Sequence, residues 1–554
     1  MRQHRRAVGI TAAILALAQS MPCRAQPLDV PDLGHAIDAI FDKWNSADSP
    51  GCGVGVQRNG ANTLARAYGS ADLEHGVPIS PATVFEAGSV SKQFTAASIL
   101  LLAGEHKLDL ADDVRKYIPE MPDYGAPITI DELLSHTSGL RDWGEIESLA
   151  GWPRTSRVYA PSDVLDIAAR QKSLNHRPGS AFSYTNTGYN LLALIVQRVS
   201  ARTLARFTRE RFFGPLGMSH TQWRDDFRRV VKDRAIAYGD GSQGYRQMMP
   251  FEDTYGHGGL LTTIGDLLRW NQALTAGELG GYVTTELQRQ ASLDNGRSIA
   301  YARGLFIESY RGVLEVAHAG ATAGYRAWLG RYPQQHLSIA VLCNTAEIDA
   351  GALAHRVADL LLPAQVRAAP PKPALSARGA ARREGLYVDE QTGLPLRLEA
   401  LDGALRIAGG PMLVAVSASE FRSGTTLYRF DGNKSLTRET ADGEVLKYRR
   451  TDSWRPSAGE LTPWAGSYRS DEALATYLVT VKNGRVTIAP EDRRGAELML
   501  QPLFADTFEF SGDSAAGVLH LTRDAAGKPA GFEMSNSRVH ALAFRRIPER
   551  SEPD

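Results

Sequence analysis

Ser89, Val90, Ser91 and Lys92 put a hydroxyl and an amine three residues apart, at the start of a segment with helical periodicity. One helical turn brings residues i and i+3 onto one face, so the two side chains come within reach of each other. A serine hydroxyl is a weak nucleophile until a base removes its proton. An amine can be that base only when burial or neighbouring charge depresses its pKa towards neutrality. The start of a helix also offers a backbone N–H to a developing oxyanion. Chance alone places roughly one SxxK in a chain of this length, so the motif's company decides its meaning.

Tyr184-Thr185-Asn186 follows Pro178-Gly179 and Phe182 and precedes an apolar helical run. A phenol there can relay a proton to a leaving group. The Asn186 amide can orient Lys92 or a substrate with a donor and an acceptor. Taken alone, the plainer reading is an N-cap at Asn186 with Tyr184 simply packed. Further on, His318-Ala319-Gly320 combines a small residue and a glycine that let a substrate approach a strand edge. The backbone N–H of Ala321 then becomes a second oxyanion donor. A structural strand-end histidine is the alternative, and His257-Gly258-Gly259 looks like a chance recurrence of the triplet. His318 is preferred because an aromatic strand and a Pro-containing turn follow it, whereas His257 leads into a capped helix. Ser135-His136-Thr137-Ser138-Gly139 looks chemical but reads as a structural loop. No GxSxG elbow, no HExxH pair and no His/Cys cluster occurs, so neither an α/β-hydrolase triad nor a metal or other cofactor is expected.

The elements that must carry these residues are legible in outline. Cys52–Gln57 reads as a strand, Asn59-Gly60 as a hairpin turn and Leu64–Tyr68 as its return. Val90, Phe94, Ala97 and Leu101 mark an amphipathic helix over Val90–Glu105. Further helices are expected at Gly188–Val199 and Ile264–Leu274, the latter with Thr263 and Asp266 suited to its first turn. Glu315–Val316, Arg326–Tyr332 and Leu337–Cys343 read as strands, giving one α/β domain over residues 32–362. The Pro- and Ala-rich stretch 363–382 reads as a linker. After it come short alternating runs that repeat. Gly385-Leu386-Tyr387 parallels Gly466-Ser467-Tyr468, Asp402-Gly403 parallels Asn483-Gly484, and Leu446–Arg450 parallels Leu542–Arg546. Two all-β antiparallel barrels, 383–455 and 460–548, explain this best, because closing a sheet removes its edges. Packed barrel interiors are the default. The loop Pro490–Gly495 could reach the active site and read a substrate amine, against the plainer reading of a solvated charged turn.

Arg2, Arg5 and Arg6, the apolar run Ala7–Ala18 and Cys23-Arg24-Ala25 form a secretory signal over residues 1–25, with an uncleaved anchor as the alternative. A periplasmic or secreted protein without stable membrane insertion is expected. Removing that segment takes four arginines and no acids from the 62 basic and 62 acidic residues, leaving 58 against 62. No basic run suggests nucleic acid. The partner expected is a small-molecule or short peptide substrate, and oligomeric state is left open. Cys52 and Cys343 would remain, by default as buried thiols, with a disulfide between neighbouring strands as the alternative.

The order SxxK, YxN, HxG resembles the β-lactamase-related serine hydrolases, the group of class C β-lactamases, DD-peptidases, D-aminopeptidases and related esterases. FEAGSVSKQFTA, ITIDELLSHTSGL, PGSAFSYTNTGYNLLALIVQ, PLGMSHT and GGLLTTIGDLLRW carry the resemblance in order over residues 32–362. It implies an antiparallel sheet flanked by helices, with the site between sheet and helical lobe. It implies acyl-enzyme chemistry in which Ser89 attacks, Lys92 and Tyr184 move protons, and the Ser89 and Ala321 N–H groups hold the oxyanion. One departure stands out. The family's penicillin-recognising members usually carry Lys-Thr-Gly where this chain has His318-Ala319-Gly320, and a histidine near pH 7 is mostly neutral. That weakens the expectation of a carboxylated β-lactam substrate. A hydrolase domain followed by two barrels is similar to the D-aminopeptidase layout, which favours amides or peptides of D-residues over esters. The rival from another class is a catalytically silent binding or sensor protein that keeps the fold.

Overall fold

A computed structural model describes residues 30–363, 377–441, 443–493, 496–512 and 515–548. The expected signal segment and residues 364–376 of the expected linker lie outside that set. After helix α1 (Val30–Phe41), strands β1 (Cys52–Arg58) and β2 (Ala61–Tyr68) form a hairpin. Asn59 and Gly60 at its tip both take positive φ, 52° and 76°, as a type I′ turn requires. The helical lobe follows, with α2 (Lys92–Gly104), α3 (Trp143–Leu149), α4 (Pro161–Arg170), α5 (Asn186–Ser200) and α6 (Ile264–Ala276). The chain then returns to the sheet through β3 (Phe306–Tyr310), β4 (Val313–Thr322), β5 (Tyr325–Tyr332) and β6 (Leu337–Cys343), and ends the domain on α7 (Ala350–Leu361). The sheet order is β3-β4-β5-β6-β1-β2, with every neighbouring pair antiparallel.

Three differences from the sequence reading have physical causes. First, Cys52 lies directly opposite Cys343 on β1 and β6, and the two form a disulfide rather than buried thiols. The cysteines are 291 residues apart in sequence, so only the sheet order reveals their adjacency. Second, α2 is not amphipathic but buried almost all round, since it packs among helices, against α5 and the helix Gly281–Leu287, with Phe94 on Trp270 of α6. Most of the polar atoms buried there have partners, Gln93 Nε2 being an exception among the described residues. Gln93 Oε1 accepts from Trp270 Nε1 at 2.7 Å, and the Thr95 hydroxyl donates to the Gly256 carbonyl at 2.7 Å. Third, β4 is longer than Glu315–Val316. Its pairing with β3 ends at Ala317 while pairing with β5 continues to Thr322, so His318–Thr322 presents a one-sided edge towards the lobe.

The two repeats are closed eight-stranded antiparallel barrels, one from β7 (Gly385–Asp389) to β8 (Val445–Thr451) and one from β9 (Gly466–Ser470) to β10 (Leu542–Arg546), the first and last strands pairing in each. The duplication extends to hydrogen bonds. The Tyr387 hydroxyl donates to the Arg383 carbonyl and Tyr468 to Trp464, in both cases four residues back. Arg450 on the closing strand donates to the Arg382 and Glu384 carbonyls; Arg546 donates likewise to Pro463 and Ala465. Residues 377–382, assigned to the linker by composition, belong to a helix, Ala377–Arg383, whose Ala380 is buried in the first barrel with Tyr387 and Phe430. The second barrel's interior leaves a residual apolar cavity of about 10 Å³, too small for a ligand.

That second barrel is no appendage. Trp143, Ile146 and Leu149 of α3 and Ile167 of α4 share one apolar core with Trp464 and Tyr477. At its edge the Arg141 guanidinium, 1% exposed, pairs with Glu472 at 2.8 Å and donates to the His540 carbonyl at 2.6 Å. Among the described residues no helix is long and apolar enough to cross a membrane. Removing one partner of a buried ion pair leaves an uncompensated charge, at about 3–5 kcal/mol. Glu472→Ala is therefore expected to move the denaturant unfolding transition earlier by that amount, and an unchanged midpoint would show that Arg141 does not depend on this carboxylate.

Candidate active site

Ser89 lies in a short 3₁₀ turn, Gly88–Ser91, that runs directly into α2 and places Lys92 at the helix's first position. Backbone contact fixes this turn against β4. Gly88 has φ +51°, and a Cβ on it would stand 2.6 Å from the Ala321 nitrogen. A Cβ on Gly320 would stand 2.0 Å from the Ala87 carbonyl oxygen and 3.0 Å from the Ser89 nitrogen. Only glycine fits at either position, and the fit brings the backbone nitrogens of Ser89 and Ala321 to one place.

Lys92 is 0% exposed. Its Nζ lies 3.1 Å from Ser89 Oγ, 2.9 Å from Asn186 Oδ1 and 2.8 Å from the His257 carbonyl oxygen. A neutral amine has two N–H donors and one lone pair. Asn186 and His257 can only accept at these atoms, so they occupy both donors and leave the lone pair facing the serine hydroxyl. Burial pushes the Lys92 pKa well below its ordinary value; the charges of Arg538 and Arg154 push it further, and Asp142 opposes them. The rings of Tyr184 and Tyr189, 4.8 and 5.4 Å from Nζ, favour the cation. Each such contact is worth about 0.5–2 kcal/mol, less than the several kcal/mol an ion loses on leaving water.

Tyr184 faces Ser89 from the other side. Burial pushes its phenol up to about 12, a rise that the Ser89 hydroxyl and the Arg538 charge reduce, so it is a neutral proton donor across the physiological range. Asn186 is not the N-cap: the Thr185 hydroxyl takes that role by accepting from the Thr187 nitrogen at 3.2 Å, which frees the Asn186 amide for Lys92. His136, in the SHTSG loop, is fully buried behind Tyr184, ring centroids 4.1 Å apart, and accepts from the Thr185 nitrogen at 3.3 Å. It braces the phenol from outside the cavity. His318 projects from the β4 edge. Burial, with help from Lys92, pushes its pKa down to about 3 against a hydrogen bond to the Ala319 carbonyl. The same bond, 2.5 Å from Nδ1, fixes the tautomer, leaving Nε2 to accept from the Tyr301 hydroxyl at 3.2 Å.

Ser89, Tyr184, Asn186, His318, Gly320 and Ala321 line one cavity of about 730 Å³, and Lys92 lies beneath its floor. Several contributors were not legible beforehand. His257, read as a chance triplet, supplies the carbonyl that holds Lys92, while its ring takes Arg154 at 3.2 Å; Arg154 in turn pairs with Glu252. Asp142 caps α3 through the Gly144 nitrogen at 3.0 Å and accepts from the Asn186 nitrogen at 2.6 Å. Arg538 enters the cavity from the second barrel. The loop Pro490–Gly495, for which a solvated charged turn is the plainer sequence reading, does not line it in its described part. Asp492 accepts from Trp152 Nε1 at 3.2 Å and Arg493 donates to the Gly151 carbonyl, which makes this loop part of the docking interface.

The Beta-lactamase family model matches residues 36–362. A D-aminopeptidase from Brucella canis is 28% identical over 540 residues, covering 94% of this chain and 99% of its own length. One from Brucella anthropi is 28% identical over 520 residues, covering 90% and 96%. Among solved structures, the octameric penicillin-binding protein homologue from Pyrococcus abyssi has a TM-score of 0.55 at 23% identity, covering 76% of this chain and all of its own. The D-amino acid amidase from Ochrobactrum anthropi SV3 has a TM-score of 0.52 at 21% identity, covering 59% of this chain and 98% of its own. At such identities the two structures speak to the fold alone. The family match spans more than half the sequence, and on that ground the chain belongs to the beta-lactamase family.

Proposed function

We propose that this protein is an exported serine hydrolase that forms an acyl-enzyme on Ser89 and cleaves amide, peptide or ester bonds, with amides of D-residues first in rank. The observation that carries this reading is Lys92 Nζ, buried, with both N–H groups engaged and 3.1 Å from Ser89 Oγ. In the reading, the Ser89 proton passes to Nζ as Oγ bonds to the acyl carbon. The oxyanion rests on the Ser89 and Ala321 N–H groups. The C–N or C–O bond then breaks as Tyr184 protonates the leaving group, and the Lys92 ammonium restores the phenol. Water attacks the acyl carbon by the reverse relay and frees Ser89. Support for the substrate rank comes from the D-aminopeptidase relatives, whose alignment runs through both barrels. Neutral His318 offers no cation to a carboxylate at the strand edge, which sets β-lactams lower.

Export is supported by the signal-like residues 1–25 and by the Cys52–Cys343 disulfide, a bond typical of oxidising compartments. The mature protein from a periplasmic fraction is expected to begin at Gln26 and to yield one oxidised Cys52–Cys343 peptide pair. A start at Met1 with Cys52 and Cys343 both free would reject export.

Two expectations test the chemistry. Arginine fills the site with a permanent cation that cannot accept a proton, so Lys92→Arg should lose about 10²–10⁴-fold in kcat/KM and slow phosphonate labelling of Ser89 by a similar factor. Wild-type activity should persist at neutral pH and fall on the acid side as the amine protonates. Full activity in the arginine variant would remove Lys92 from the mechanism. In a panel of D- and L-aminoacyl anilides, p-nitrophenyl esters and a chromogenic cephalosporin, D-anilides and short esters should turn over faster than the cephalosporin. The reverse order would make a β-lactamase reading the better one.

A further inference from the structure

Arg538 sits on the turn between the last two strands of the second barrel, far along the chain from every other residue in the site. Hydrogen bonds within the turn and to the lobe anchor it. Asn536 Oδ1 accepts from the Arg538 and Val539 nitrogens, each at 2.9 Å, and its Nδ2 donates to Glu145 Oε2 at 2.8 Å. The Arg538 carbonyl accepts from the Asp142 nitrogen at 3.2 Å and from Asn175 Nδ2 at 2.9 Å. Asp142 holds the Asn186 nitrogen and Asn186 holds Lys92. The turn is thus tied by backbone and buried amides to the group that activates Ser89.

The side chain is the part left unused. The Arg538 guanidinium lines the catalytic cavity, with Cζ 5.1 Å from the centroid of Tyr184. Among the described residues it has no hydrogen-bond acceptor and no carboxylate within 4.0 Å. The nearby acids are committed elsewhere. Asp142 accepts from the Gly144, Glu145 and Asn186 nitrogens. Glu145 is held by Asn536, and burial, aided by Asp142, pushes its pKa upward against the Arg538 charge. The one carboxylate lining the cavity, Asp349, caps α7 through the Ala352 nitrogen at 2.9 Å. The other lining cations differ from Arg538: Arg154 is paired with Glu252, and Arg326 donates to the Ala323 and Tyr325 carbonyls. A fork of donors carried on an anchored turn beside Tyr184, half-buried and with no hydrogen-bond acceptor among the described residues, matches a carboxylate in geometry and charge.

We propose that Arg538 is a specificity residue supplied by the second barrel, which receives a carboxylate on the leaving-group side of the substrate. It rests on the hydrolase reading above. The side is set by Tyr184, on whose ring the guanidinium lies and whose hydroxyl protonates the leaving group in that reading. The cation absent from the strand edge at His318 enters here from a different domain. The consequence is that the barrels are not a passive cover, because one of them reads charge on what departs.

The test uses the full-length mature protein and a matched pair of probes, N-acetyl-D-alanyl-4-aminobenzoate and its neutral 4-aminobenzamide counterpart, with the released amine measured by chromatography. The wild type is expected to prefer the carboxylate probe by about 10- to 100-fold in kcat/KM, the range of a hydrogen-bonded charge, with the difference mainly in KM and shrinking as salt is raised. Arg538→Gln should bring the ratio of the two probes near one, Arg538→Lys should keep part of it, and Arg538→Glu should invert it. The ratio is internal to each variant, so a general loss of activity or a shifted Lys92 pKa does not mimic the result. Equal turnover of both probes by the wild type, or a ratio that survives in Arg538→Gln, would overturn the role of Arg538 and leave the hydrolase reading standing. A folded wild type that cleaves neither probe nor any member of the anilide and ester panel would overturn both.

Discussion

The contact between Lys92 and Ser89 depends on an amine kept where water does not reach it. An ammonium in that position would forfeit several kcal/mol of hydration, and two flanking aromatic faces return only part of it. The protein resolves the conflict by favouring the neutral form. Asn186 Oδ1 and the His257 carbonyl take the two N–H groups, and Arg538 and Arg154 add repulsion that a third proton would have to overcome. What results is an amine whose lone pair faces the Ser89 hydroxyl, the arrangement that the proposed role of a base requires.

Most of the fold around the site can be understood as the means of holding those few atoms. The hairpin and β6 form the disulfide-linked centre of the sheet, and α6 packs on it and sets Trp270 against Phe94 of α2. Gly88 and Gly320 allow the serine turn to lie against the β4 edge at backbone contact. His257 is positioned by Arg154, and Arg154 by Glu252, so a buried charge network fixes a carbonyl oxygen rather than a catalytic side chain. On the lobe side, Asp142 joins α3, α5 and the second barrel through three hydrogen bonds. Arg141, next in sequence, is neutralised only by Glu472 of that barrel among its described partners. The lobe and the second barrel are therefore joined by buried bonds that lead from Asp142 through Asn186 to Lys92.

Legibility followed the range of the interaction. Local signals were readable: the Asn59-Gly60 turn, the start of α6 at Thr263, the strand Leu337–Cys343 and the paired Asp402-Gly403 and Asn483-Gly484 turns all depend on neighbours within a few residues. The SxxK pair was readable because one helical turn positions both members. Residues that act through backbone atoms were not. His257 contributes a carbonyl, which leaves no mark on residue type, and its triplet looked accidental. Arg538 and Asp142 meet only because barrel and lobe dock, and nothing in either segment encodes that meeting. The helix at 377–383 was hidden for a related reason, since an Ala- and Arg-rich stretch looks like a spacer until Ala380 is seen to fill the barrel. The amphipathic reading of α2 failed because its polar residues find partners on elements distant in sequence.

The protonation state of Lys92 is the most direct measure of this account. Protein carrying ¹³Cε-lysine, with the Lys92 signal assigned by its loss in Lys92→Arg, can be titrated by NMR between about pH 5 and 11, spanning the ordinary lysine value near 10.4. A Lys92 signal that reports a neutral amine at pH 7 and titrates well below the other lysines is the expected result. A signal that remains that of an ammonium at pH 7 and titrates with the surface lysines would contradict the arrangement from which everything else here is argued.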